Sequence, residues 1–286
     1  MRGARPFAQL EADVAARIAM RAGETLVVST SGGPDSVALA ALLAPIAREC
    51  GGTLVLAHVN ANLRGSAWQD EAIVLSLGAS LRARVVAVSL PSGSADEARL
   101  RDERYAALDG IARDARASRI VTAHHAGDQT ETVLLALLRG AGPDGLTGMA
   151  PERELASGTV VLRPLLSCEP ETLRAYAAAH HLPYAADPTN GDFAYRRNAV
   201  RAALETLRPS FPHLDAAVAR CAAILREERA GTPQAERRAR LREAIVEATG
   251  DARDLSFERL DSAARAIERG TPGRHFLRRG VELVVE

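Results

Sequence analysis

The stretch Ser31-Gly32-Gly33-Pro34-Asp35-Ser36 decides how this chain is read. It follows the short β-branched run Leu26-Val27-Val28 and opens Val37-Ala38-Leu39-Ala40-Ala41-Leu42-Leu43. The first run has the length and branching of a buried strand, the second the length and Ala/Leu content of a helix. Two glycines and two serines at the junction let backbone N–H groups come close to a ligand. The helix N-terminus just beyond offers unpaired N–H groups and a positive dipole, which suit a pyrophosphate. A carboxylate in such a turn calls for a cation beside the phosphates, which makes Asp35 a candidate Mg²⁺ ligand. On shape alone, an ordinary turn capped by Asp35 or Ser36 accounts for the segment equally well. A Walker-type loop is excluded: it needs Gly-Lys-Ser/Thr, and all 36 Lys+Arg residues of this chain are arginine. A side-chain grip on phosphate therefore falls to a guanidinium fork or a histidine.

Working outward, strand-like runs at 53–59, 84–88, 120–123 and 160–162 alternate with helical stretches at 67–82, 97–117, 128–138 and 171–180. Apolar on both sides, these strands predict an α/β fold, a doubly wound, mostly parallel sheet with helices on both faces. Pro209 and Pro212 bracket a break. Beyond it, helical runs at 214–229, 235–248 and 257–268 and a strand-like 281–285 predict a small, mainly helical C-terminal region. The domains expected are thus 1–212 and 213–286, a size that 286 residues with 47% hydrophobic content support. Net charge is zero, so a nucleic acid would have to be held by a local patch. No stretch is apolar enough to span a bilayer, and the N-terminus lacks a signal-like core. Cys50, Cys168 and Cys221 are isolated, which fits a reducing cytoplasm without a disulfide frame.

Ligands of open α/β sheets bind beyond the carboxyl ends of the strands, near the switch point of the strand order. That rule gathers Ser31 to Ser36, His58-Val59-Asn60 and His124-His125. The second strong string is Thr122-Ala123-His124-His125-Ala126-Gly127-Asp128-Gln129-Thr130-Glu131-Thr132. Asp128 and Glu131 are three apart and share a helix face. Taken alone, acidic residues near a helix start and satisfied histidines explain it as well.

Together with the hexapeptide, this string resembles the tRNA(Ile)-lysidine synthase family of the PP-loop ATP pyrophosphatase superfamily. The resemblance runs from about residue 26 to 201. It includes His58-Val59-Asn60-Ala61-Asn62-Leu63-Arg64, the Arg-rich Glu97-Ala98-Arg99-Leu100-Arg101-Asp102-Glu103-Arg104-Tyr105, and Leu134-Leu135 through Gly148-Met149. It closes on Asp187-Pro188-Thr189-Asn190 with Tyr195, Arg197-Asn198 and Arg201. The resemblance implies that Ser31, Gly32, Gly33, Pro34, Asp35 and Ser36 hold ATP phosphates with His58 near the nucleotide, and that Asp35 lies by Mg²⁺. It implies free L-lysine at His124, Asp128 and Glu131, and catalytic roles for Asp35, Arg104 and Arg197. The implied reaction is ATP-dependent ligation of lysine to C2 of the wobble cytidine of tRNA(Ile) with a CAU anticodon, through an adenylated cytidine, with release of pyrophosphate and AMP. Arg196, Arg201 and Arg208, close together beside the end of the first domain, are the candidate tRNA-binding patch. No membrane partner is implied, and a homodimer is left open. Two positions depart from the family: Ala61 where a histidine is usual, and Gly127 where an aspartate is usual. A PP-loop enzyme of tRNA thiolation is a rival disfavoured by the scattered cysteines, and a catalytically idle nucleotide-binding homologue is another.

Overall fold

A computed structural model describes residues 6–61, 67–91, 97–185, 196–250, 255–278 and 280–286, without the side chains of Ala67, Glu97 and Arg196. The chain divides into two compact units, residues 1–141 with 148–220, and residues 142–147 with 221–286.

The larger unit is built on one six-stranded sheet in the order β3-β2-β1-β4-β6-β5. Its strands are β1 (Thr25–Ser29), β2 (Thr53–Asn60), β3 (Arg84–Ser89), β4 (Arg119–Val121), β5 (Glu152–Glu154) and β6 (Val160–Leu162). Every neighbour pair is parallel except β5 with β6. The strands are apolar at consecutive positions because each face is covered. Leu26, Val28, Leu54, Leu56, Val121 and Leu162 pack into one core with residues of α1 (Ala8–Ile18), α2 (Pro34–Glu49), α3 (Ala67–Leu81) and α6 (Pro170–Ala179). Their alternates Val27, Val55, Ala57, Ile120 and Val161 pack into the opposite core with Leu108, Ile111 and Ala112 of α4 (Glu97–Asp114). Period-two side-chain placement thus turns one apolar run into two buried faces.

The order places the switch point between β1 and β4: from β1 the chain moves to β2 and β3 on one side, and β4 leads to β6 on the other. The loop after β1 and the loop after β4 open on that crevice. α5 (Ala126–Leu138) starts there, two residues earlier than the apolar pattern suggests, and α7 (Arg196–Leu207) packs on it.

In the smaller unit, α9 (Pro233–Thr249), α10 (Phe257–Arg269) and the hairpin β7 (Gly273–Arg278)–β8 (Val281–Val285) enclose Leu241, Ile245, Leu260, Ala263, Ala264 and Leu277. α8 (Leu214–Arg229) runs into this unit. Arg238 is fully buried there, paired with Asp261 at 2.7 Å and Glu227 at 3.0 Å and lying over the Phe257 ring. Among the described residues, no helix is long and apolar enough to cross a membrane.

Candidate active site

The turn after β1 is shaped by its serines. Ser36 Oγ donates to the Gly33 carbonyl at 2.9 Å and accepts from the Ser31 amide at 3.2 Å, while Ser31 Oγ accepts from the Gly33 amide at 3.3 Å. Gly33 is the N-cap of α2 and Pro34 its first residue, where a missing N–H costs nothing. Gly32 has φ +92°, and a Cβ there would meet Asp70 at 3.2 Å, so the position needs glycine on both counts. The amides of Gly32, Asp35 and Ser36 have no hydrogen-bond partner among the described residues. These are the donors an anion would use at this helix start. Asp35, in the first turn, has its Oδ1 buried without a hydrogen-bond partner among the described residues. A lone buried carboxylate oxygen fits a cation shared with phosphates, the usual manner of holding Mg²⁺. No cluster of three or more His, Cys, Asp or Glu able to hold a metal occurs among the described residues, so the phosphates would have to complete such a site.

From Asp35 a path of close polar contacts crosses the crevice. His125 Nε2 lies 3.6 Å from Asp35 Oδ2 and 3.6 Å from Asp128 Oδ2. His125 is also the N-cap of α5. Its Nδ1 accepts from the Asp128 amide at 3.3 Å, and Asp128 Oδ2 accepts from the His125 amide at 3.0 Å, a capping box. Burial pulls the His125 pKa down, but the Asp35 hydrogen bond and the charges of Asp128, Asp35 and Glu131 outweigh it and raise the pKa. Asp128 is the reverse: burial raises it, while His125, His124 and Arg197 hold it below the usual carboxylate range. Asp128 Oδ1 lies 4.0 Å from Arg201 Nη2. Glu131, one turn along α5, accepts from Arg197 Nε at 2.7 Å on one oxygen and from Arg201 Nε at 2.5 Å on the other.

The remaining candidates fall around this path. His58 is buried at the end of β2, its Nδ1 3.0 Å from the Thr30 carbonyl and its Nε2 unpartnered among the described residues. Since a carbonyl only accepts, Nδ1 is the donor in this contact. His124 Nδ1 meets Thr122 Oγ1 at 2.8 Å. Burial lowers its pKa to about 4, with Asp128 opposing and Arg163, Arg197 and Arg101 adding to the fall, so the ring is neutral near pH 7. Arg208 pairs with the buried Asp215 at 2.9 Å. Arg104 is an exposed residue of α4, and Arg99 pairs with Glu103 along that helix. The Arg196 side chain, Asn62 to Arg64, Asp187 to Asn190 and Tyr195 lie outside the described residues. At Gly127 a Cβ would stand 2.9 Å from His125 Cε1. The imidazole occupies the room that a side chain at 127 would need.

A sequence profile of the PP-loop domain family matches residues 6–207. The chain belongs to that family. Among its relatives, this PP-loop chain is 42% identical over 210 residues to the tRNA(Ile)-lysidine synthase of Ralstonia nicotianae, a match covering 71% of this chain and 45% of the relative. It is 41% identical over 206 residues to the enzyme of that name from Pseudomonas aeruginosa (70% and 46%), and 37% identical over 212 residues to that of Gloeobacter violaceus (72% and 64%). The chain spans about half the length of most of the curated relatives it matches. In fold it is similar to the U34-tRNA thiolase of Methanococcus maripaludis, with a TM-score of 0.64 at 14% identity, covering 75% of this chain and 76% of that one.

Two residues at the site of this PP-loop protein have no role in the sequence-based reading. His125 is gathered with His124 at the strand end but reads as a loop residue when α5 is started at Asp128, although the spacing from His125 to Asp128 is that of a capping box. Asp70, buried on α3 against Gly32, gives no signal, because only the fold brings α3 to the loop.

Proposed function

We propose that the chain is an ATP-dependent tRNA-modifying ligase that joins free lysine to C2 of the wobble cytidine of a CAU-anticodon tRNA(Ile). The observation that carries this reading is the polar path Asp35–His125–Asp128–Arg201–Glu131–Arg197, which ties the turn after β1 to a cluster of carboxylates and arginines across the switch point. The names of the relatives support the substrate class. In the proposed reaction the cytidine C2 oxygen attacks the α-phosphorus of ATP and pyrophosphate leaves. The lysine ε-amine then attacks C2, gives up a proton, and AMP departs with the former C2 oxygen. Free amides of Gly32, Asp35 and Ser36 bind the phosphates, and the arginines stabilise charge on the adenylated base. A Mg²⁺ ion, held by Asp35 together with the ATP phosphates, would neutralise charge on those phosphates. Neutral His124 offers an acceptor or a donor and no charge, and Asp128 supplies the negative charge for an ammonium group.

The thiolation reading is less well supported. All three cysteines are free, and burial pushes the Cys168 thiol up to about 12, far from a reactive thiolate. The fold likeness to a thiolase extends to the fold alone. The test is incorporation of labelled lysine into CAU-anticodon tRNA, with ATP–pyrophosphate exchange measured with and without that tRNA. tRNA-dependent exchange and incorporation are expected. Exchange indifferent to tRNA, or absence of incorporation, would overturn the reading.

A further inference from the structure

A cavity of about 310 Å³ is lined by Arg101, Thr132, Glu152, Arg153 and Arg163 and by residues 148–150. Arg163 directly follows β6, so the cavity lies at the carboxyl end of the sheet, and Thr132 follows Glu131 on α5. Its walls are fixed. Gln129, 2% exposed, clamps Met149 by donating from Nε2 to its carbonyl at 2.8 Å and accepting from its amide at 2.7 Å. Gly148 has φ +63°, and a Cβ there would lie 2.6 Å from Gln129 Oε1, so the tight approach demands glycine. The Arg163 amide donates to the Pro151 carbonyl at 2.8 Å, and Arg163 Nη1 donates to the Ala150 carbonyl at 2.8 Å.

The chemistry of the lining selects its ligand. Arg163 is 4% exposed, yet its Nε is buried with no partner among the described residues. The charge of this guanidinium at the cavity wall favours an anion there over a cation. The exposed Arg101 and Arg153 flank the Tyr105 ring, 5.8 and 5.5 Å from its centroid, and Tyr105 Oη accepts from Arg163 Nη2 at 3.3 Å. The aromatic ring thus organises all three cations around one opening. Three guanidinium groups against the single carboxylate of Glu152 leave a positive lining. Such a lining repels free lysine, whose net charge is positive, and attracts a phosphate. The ATP phosphates already have the amides at the start of α2, so this second anion site belongs to another molecule. The sequence-based candidates for holding RNA, Arg201 and Arg208, are engaged with Glu131 and Asp215.

We propose that this cavity binds a backbone phosphate of the RNA substrate, next to the nucleotide that is modified. The proposal rests on the tRNA-ligase reading above. It is tested with full-length protein carrying Arg101→Gln, Arg153→Gln or both, side chains exposed enough for the fold to survive, with melting temperature as the check. Affinity for CAU-anticodon tRNA is measured over a salt series, beside ATP affinity and the KM for lysine. Each single variant should weaken tRNA binding by about tenfold and lower the slope of log affinity against log salt by about 0.7–0.9, the value of one phosphate contact. ATP affinity and lysine KM should hold. Unchanged tRNA affinity and slope, with wild type still binding and modifying tRNA, would overturn the cavity's role and leave the ligase reading standing. A rise in lysine KM at constant slope would assign the cavity to the amino acid and equally overturn it. Failure of the wild type itself to bind tRNA would sink the ligase reading and RNA as the ligand with it.

Discussion

Replacing Glu131 by glutamine separates two roles that one carboxylate could play. Its side chain is 6% exposed and its two oxygens accept from Arg197 and Arg201 at 2.7 and 2.5 Å, joining α5 to α7. Glutamine keeps the shape and one acceptor oxygen but removes the charge and presents an N–H₂ group to a guanidinium. Removing one partner of a fully buried pair costs about 3–5 kcal/mol. Here the arginines are 26% and 35% exposed and can regain water, so about 2 kcal/mol is the expected loss. For a unit of this size that lowers the melting temperature by about 4–8 °C. Amides of α7 should lose hydrogen-exchange protection ahead of the sheet, because α5 is its main partner. Thermal unfolding and exchange by mass spectrometry read both effects. A melting temperature within about 1 °C of wild type, unaltered α7 protection and a raised lysine KM would refute the clamp and leave Glu131 as a lysine ligand.

Asp35→Asn should keep the melting temperature and depress tRNA-dependent ATP–pyrophosphate exchange by about a hundredfold or more, since metal charge at a phosphate is worth several kcal/mol; near-normal exchange would remove Asp35 from the phosphate site. Burial pushes the Glu24 carboxyl up, but the hydrogen bonds and charges of Arg119 and Arg21 outweigh it and lower its pKa. Its stabilisation is therefore complete above the ordinary carboxyl pKa of about 4.3 and lost as pH falls through the lower folded value; Glu24→Gln should be less stable at neutral pH and should show a shallower acid decline in urea unfolding. His124 behaves in the opposite chemical sense. With a folded pKa of about 4 against about 6.5 unfolded, the unfolded chain binds the extra proton first, so stability falls as pH drops from about 6.5 towards 4. NMR titration should find this ring neutral down to about that pH, and His124→Gln should remove that part of the pH dependence; a ring titrating near 6.5 would contradict the burial argument.

The central strands and the turn after β1 were legible because local signals and tertiary needs agree there. Leu26-Val27-Val28 is apolar at every position since both sheet faces are covered, and Gly32 is required by both dihedral and space. Legibility ends where partners come from far along the chain. The exposed Glu152-Arg153-Glu154 has no apolar alternation and becomes β5 only because β6 supplies its ladder. Gly273 to Arg278 likewise becomes β7 through pairing with β8. The sequence shows Arg201 and Arg208 as neighbouring cations but not that Glu131 and Asp215, some 70 and 7 residues away, lie against them. Gly127 is a similar case: the sequence shows an absent carboxylate, and only the fold shows that a Cβ there would stand 2.9 Å from His125 Cε1.

The strand β5 also bears on how two copies of this protein can meet. Open sheet edges invite a neighbouring chain to add a strand, and proteins guard against this with short, charged edges. β5 is three residues long, all exposed, and pairs on one side only, with β6. If two copies joined antiparallel through this edge about a twofold axis at Arg153, that residue would face its own copy, and Glu152 would face Glu154. Every cross-strand pair would set like charges opposite each other, which is destabilising. Edge-to-edge pairing in that register is therefore opposed by the charges of β5 itself.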